Sequence, residues 1–279
     1  MDLYLPIAGQ SVNALLIVIL GGLVGLLSGM FGVGGGFLTT PLLIFYGIPP
    51  TVAVASATTQ IAGASVSGVF AHMRRGGVDL KMGGVMIVGG TLGSLVGAGL
   101  FRLLQASGQI DLVIAFLYVI LLGGIGGRSF GASSLPGRWR FYASGLYLSP
   151  LAPLALGFVA GIMTVLLGVG GGFILVPAMI YILGMAARVV VGTSLVMILA
   201  VSAWSVMIHA MTTQAVDIVL AGLLLVGGVI GAQYGAILAT RLKPDLLRLA
   251  LAGIILLVAL RMLLGLAWRP DEIFSIEYL

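Results

Sequence analysis

Two glycine runs carry the sharpest chemical suggestion in this sequence. Gly32-Val33-Gly34-Gly35-Gly36-Phe37 recurs as Gly168-Val169-Gly170-Gly171-Gly172-Phe173, each with a proline four residues on, Pro41 and Pro177. In a soluble protein such a run suggests a phosphate loop or a dinucleotide fingerprint. No Lys-Ser/Thr follows either run and no strand pattern precedes it, so nucleotide binding fails on context. Within an apolar helix, consecutive glycines weaken the helix and open positive φ. The pieces that follow, 37–46 and 173–183, would rise only about 15 Å as helices, half of a hydrocarbon core about 30 Å thick. The spacing therefore predicts a helix broken near mid-membrane, or a re-entrant hairpin. Irregular backbone at that depth must be buried in protein or line a watery cavity. Freed amides at the start of each short helix would then hold an anion. Close helix packing through small residues competes with this reading, but duplication of both the run and the short piece favours a site.

Gly34, Gly35, Gly36, Gly170, Gly171, Gly172 and Phe173 are thus candidate substrate-binding positions. Hydroxyl and amide side chains cluster beside them. Thr39 and Thr40 lie in the first short piece. Ser56, Thr58, Thr59 and Gln60 form a polar stretch, answered by Thr193 and Ser194 in the second half. Back-bonding to helix carbonyls is the competing role for each hydroxyl. His72 and His209 both close the third element of their half, where capping competes with gating or proton handling.

The elements that must position these residues follow from composition. Of 279 residues, 60% are hydrophobic and 8% are charged, against about 25% charged in an average soluble domain. So few charges cannot cover a soluble sphere, and an integral membrane protein of roughly ten spans is predicted. With no cysteine and two histidines there is no disulfide, thiolate site or ordinary zinc site, and no metal or cofactor is expected. Asp79, Asp111, Asp217 and Asp245 each start a long span as N-caps, and the other four acids lie at the termini. No carboxylate remains inside a span, which disfavours a cationic substrate or a proton pump. Paired carboxylates and acid–histidine pairs are lacking too, so an enzyme is not expected. The net charge of +5 reads as loop bias and not as a nucleic-acid footprint. Met1-Asp2-Leu3 lacks the basic start of a cleaved signal, so the first apolar run is read as a retained span.

The predicted series is 12–31, 37–46, 51–73, 79–104 and 111–126, then 148–167, 173–183, 188–211, 217–240 and 245–266. Long, short, long, long, long occurs twice. Gly89-Gly90, Gly93 and Gly97 match Gly227-Gly228, Gly231 and Gly235, as stripes for close helix packing. Basic residues cluster after the third element in one half (Arg74, Arg75, Lys81) and after the fourth in the other (Arg241, Lys243, Arg248). Placing both clusters in the cytoplasm inverts the halves and leaves both termini outside. Arg261 lies inside the last apolar run, where it either snorkels or meets an anion. The expected fold is all-α, a polytopic transmembrane bundle of two inverted-topology repeats, 1–127 and 148–279, joined by a cytoplasmic linker, 128–147. Inverted repeats are the architecture of secondary transporters.

With its paired glycine runs and the stretch from His72 through Arg74-Arg75-Gly76 to Val78-Asp79, the chain resembles the sulfite exporter TauE/SafE family over nearly its whole length. Thr58 and Thr59 of Ala55-Ser56-Ala57-Thr58-Thr59 best match the family's Ala-Thr-Ser. The resemblance implies a multi-pass transporter of the bacterial inner membrane, moving a small sulfur-containing anion such as sulfite, sulfoacetate, another sulfonate or thiosulfate. Export is expected, and a passive anion channel of the same fold is the alternative. Expected partners are the anion, membrane lipid and optionally a second copy of the chain, with no nucleic acid.

Overall fold

The computed structural model describes residues 2–31, 36–74, 76–108, 110, 113–114, 116–117, 139–141, 146–148, 150–239, 257–258 and 260–261. Most of the predicted spans 111–126 and 245–266, residues Gly32–Gly35 and most of 128–147 lie outside them. A hairpin, β1 (Asp2–Leu5) and β2 (Gln10–Asn13), opens the chain. It leads into α1 (Ala14–Phe31), the short α2 (Gly36–Phe45), α3 (Pro50–Arg74) and α4 (Leu80–Ala106). The second series is β3 (Trp139–Phe141), β4 (Leu146–Leu148), α5 (Leu151–Leu167), the short α6 (Gly172–Tyr181), α7 (Ala187–Thr212) and α8 (Ile218–Ala239). The protein is mostly helical. Among the described residues four helices, α3, α4, α7 and α8, are long and apolar enough to cross a membrane. The two short helices have ten residues each, as the sequence predicts.

The helices form two layers of contact. α3 and α7 are the interior pair, with 65% and 61% of their apolar windows buried, against 39% for both α4 and α8. α1 packs along α8, and α4 along α5. The chief contacts recur with the halves exchanged: α3 on α8 and α4 on α7, α2 on α3 and α6 on α7. Glycine makes the outer pairs close. A Cβ on Gly25 or Gly29 would run into the backbone of Gly228 or Ala232, and one on Gly227, Gly231 or Gly235 into Val18, Gly22 or Leu26. Gly89, Gly93 and Gly97 abut Leu154, Phe158 and Ile162, and Gly157 and Gly161 abut Met86 and Gly90 in return. The stripes read from the sequence are therefore backbone-to-backbone contacts.

Two of the predicted caps lie in the described residues and both are caps. Asp79 accepts a bond from the Met82 amide at 3.0 Å, and Asp217 Oδ1 accepts from the Val219 and Leu220 amides, each at 3.1 Å. The described residues agree with an all-α membrane protein, and two short antiparallel hairpins, one ahead of each helical series, add to it without changing the class. The first span accordingly starts at Ala14, not Val12, and the segment read as a linker ends in β3 and β4. In the first hairpin Gly9 takes φ +67° at the turn, and Leu5 and Val12 enter an apolar cluster with Ile17, Leu43, Ile48, Leu220 and Leu224. The Ile7 amide donates to Asp217 Oδ2 at 3.1 Å, so one carboxylate caps α8 and holds the hairpin.

Candidate functional site

Between α5 and α6 the chain is broken where the sequence predicts. α5 ends at Gly168 in the left-handed region (φ +66°), whose amide donates to the Thr164 carbonyl at 2.9 Å. Gly170 and Gly171 follow at φ +72°, a conformation that favours glycine. Gly171 caps α6, and its carbonyl accepts from the Ile174 and Leu175 amides at 3.1 and 2.9 Å. The amides of Gly172 and Phe173 precede those first bonds, as in any helix start. The whole of 165–172 is buried.

The other half meets this break. A Cβ on Gly36, the first residue of α2, would strike the Gly168 carbonyl and lie 3.0 Å from the Val169 carbonyl carbon. A Cβ on Gly168 would lie 2.6 Å from the Val54 carbonyl oxygen and 3.1 Å from Thr40 Oγ1. From the interior helices, Ile61 of α3 and Ile198 of α7 converge on Gly170, at 2.8 and 3.2 Å from its Cβ position. Two glycine-marked segments, with Gly36 and Gly168 132 residues apart in sequence, are thus in backbone contact, framed by α3 and α7. Thr40 is fully buried and its hydroxyl has no hydrogen-bond partner. A polar group in that state is costly, and it stands against the glycine break.

The remaining candidates separate by what their oxygens do. Thr39 donates to Gln60 Oε1 at 2.8 Å, tying α2 to α3. Thr58 and Thr59 donate to the Val54 and Ala55 carbonyls at 2.7 and 3.0 Å, the competing role named above. Ser194 does the same with Val191 at 3.0 Å. Thr193 donates to the Val189 carbonyl and accepts from the Asp79 amide at 2.9 Å, fastening the start of α4 to α7. Gly34 and Gly35 lie outside the described residues, as does the Phe173 side chain. His209 is buried. Its Nε2 lies 3.1 Å from the Val165 carbonyl, which can only accept, so that nitrogen carries the proton. Its ring stands edge-on to Phe101, with centroids 5.1 Å apart. His72 lies half-buried in the last turn of α3. Arg261 sits over the Phe45 ring at the end of α2, 5.1 Å from the centroid. Sequence reasoning missed Val54, Ile61, Thr164 and Ile198, which line the break. Counting back eleven residues from each of the paired histidines, His72 and His209, would have found Ile61 and Ile198.

Apolar spans around a buried, broken helix make this a multi-pass membrane protein. Residues 17–262 match the family model described as Sulfite exporter TauE/SafE, and the chain belongs to that family. Among its relatives, the "Probable membrane transporter protein YjnA" of Bacillus subtilis is 29% identical over 253 residues, 88% of this chain and 98% of that protein. The "Probable membrane transporter protein YdhB" of the same organism is 29% identical over 255 residues, covering 87% of this chain and 100% of its own. The "Sulfite exporter TauE/SafE family protein 2" of Arabidopsis thaliana is 26% identical over 142 residues, half of this chain and 30% of its own. No solved structure matches the chain. Family and relatives make it a membrane transporter.

Proposed function

We propose that the protein is a secondary transporter that carries a small sulfur-containing anion (sulfite, sulfoacetate or another sulfonate, or thiosulfate) out across the bacterial inner membrane. The observation that carries this reading is the buried break at Gly168–Gly171, with an unpartnered Thr40 hydroxyl beside it. Amide and hydroxyl donors without a carboxylate suit an oxyanion. Gly170, Gly171, Gly172 and Phe173 offer backbone amides, Thr40 offers its hydroxyl, and Gly34–Gly36 supply the matching side. Thr39 and Gln60 act by holding α2 on α3. The exchange of contacts between halves supports two repeats of inverted topology with the anion bound between them, near the bilayer midplane.

The test is transport in proteoliposomes across a panel of sulfite, thiosulfate, sulfoacetate and taurine. Saturable flux of at least one of these, with counterflow, is the expected result. Flux without saturation or counterflow marks a channel. No flux of any of the four overturns the substrate class.

A further inference from the structure

The interior helices carry the same stripe twice. Ile61, Ser65, Gly68 and His72 on α3 stand at the spacing of Ile198, Ser202, Ser205 and His209 on α7, steps of four, three and four residues that keep one helical face. Both isoleucines converge on Gly170. The helices run in opposite senses there, since Asp79 meets Thr193, Gly68 meets Leu195, and Ile61 and Ile198 meet across Gly170. Ser65 and Ser202 each lie one turn beyond their isoleucine, about 6 Å along the axis. They therefore leave the break in opposite directions.

Ser65, Ser202 and Ser205 are all buried, and none of their hydroxyls has a hydrogen-bond partner. This is not the general state of hydroxyls in these helices. Thr58 and Thr59 on α3 and Thr193 and Ser194 on α7 bond to a carbonyl of their own helix, while Ser56 of α3, off the stripe, shares the unpartnered state. Unpaired buried hydroxyls at the matched positions Ser65 and Ser202 call for an explanation, and a bound oxyanion accepting from them supplies one. On α7 the stripe ends at His209, whose proton is committed to the Val165 carbonyl, three residues before Gly168. No carboxylate stands on either stripe.

We infer that Ser202 and Ser205 form a hydroxyl-lined subsite for an oxyanion on one side of the glycine break, with Ser65 as its single-hydroxyl counterpart on the other side. The two isoleucines are the apolar constriction between them. This deepens the transport reading above and rests on it for direction, though not for ligand class.

Because the chain has no cysteine, single cysteines report cleanly. In the full-length protein, S65C, S202C and S205C are treated with 2-sulfonatoethyl methanethiosulfonate, a small sulfonate, and with the cationic trimethylammonioethyl analogue. V201C, at a buried core position of the same helix, is the reference. The expected result is modification by the sulfonate about tenfold faster than at V201C and faster than by the cation. Equal rates at 201, 202 and 205, or a preference for the cation, overturn the inference. S202A/S205A should also raise the KM for the transported anion about tenfold, as loss of a charge-assisted bond predicts. Sulfonate-selective labelling in a protein that moves none of the four test anions would sink the assigned substrates while leaving the subsite standing. Transport with unselective labelling would do the reverse.

Discussion

Among the buried hydroxyls, stability and function should part company. Thr40 has no partner, so Thr40→Val keeps the shape, removes a desolvated polar group and should leave the melting temperature unchanged or higher. Transport should nevertheless fall about tenfold in kcat/KM, the size of one lost bond to a charged group. Thr193→Val should do the opposite. It strips the Asp79 amide of its acceptor and should cost about 1–3 kcal/mol in unfolding measurements, with KM little altered in the protein that remains folded. Parallel flux and thermal-unfolding assays decide both, and equal behaviour of the two variants would show that Thr40 has no special place. The sequence could nominate Thr39, Thr40, Thr58, Thr59, Gln60, Thr193 and Ser194 as a polar set but could not sort them. Every helical threonine has a carbonyl four residues back, so which hydroxyls take it is decided by neighbours from distant segments.

The elements were more legible than their side chains. Apolar run lengths, duplicated glycines and acids at span starts locate α1 to α8 to within a few residues, because a long apolar helix is specified by its own composition. The hairpins were not legible. A two-stranded hairpin is marginal alone, and β1–β2 is held by Leu5 and Val12 docking beside Leu220 and Leu224, and by Asp217. Asp217→Ala should therefore cost more than the roughly 1 kcal/mol of a lost cap, and should speed proteolysis within residues 2–13. Limited digestion followed by mass spectrometry reads this out, and digestion at the rate of the parent protein would show that the carboxylate does not hold the hairpin. Gly171→Val combines a positive φ with a Cβ only 2.9 Å from that of Ala160. It should abolish transport while the protein still inserts, and full flux from that variant would remove the break from the site.

Across the whole molecule, charge and voltage set the remaining expectations. If the halves are inverted, Met73→Cys should be labelled only after cells are permeabilised and Met211→Cys from outside, both residues being exposed at the ends of α3 and α7. Labelling of both from one side would refute inversion. A potential negative inside drives each anionic charge outward by about 2.3 kcal/mol per 100 mV, so flux should follow an imposed potential without a pH gradient. A requirement for a proton or sodium gradient would overturn uncoupled export. The glycine contacts also impose an order on biosynthesis. Gly25 has its partner at Gly228, roughly 200 residues further along the chain, which a ribosome needs about 10–40 s to add. Until then α1 waits in the bilayer with a bare glycine face. The nascent first half is therefore an unfinished object, a natural client for a membrane chaperone or a target for a quality-control protease. A gene cut between α4 and β3 should yield two polypeptides that accumulate only when made together.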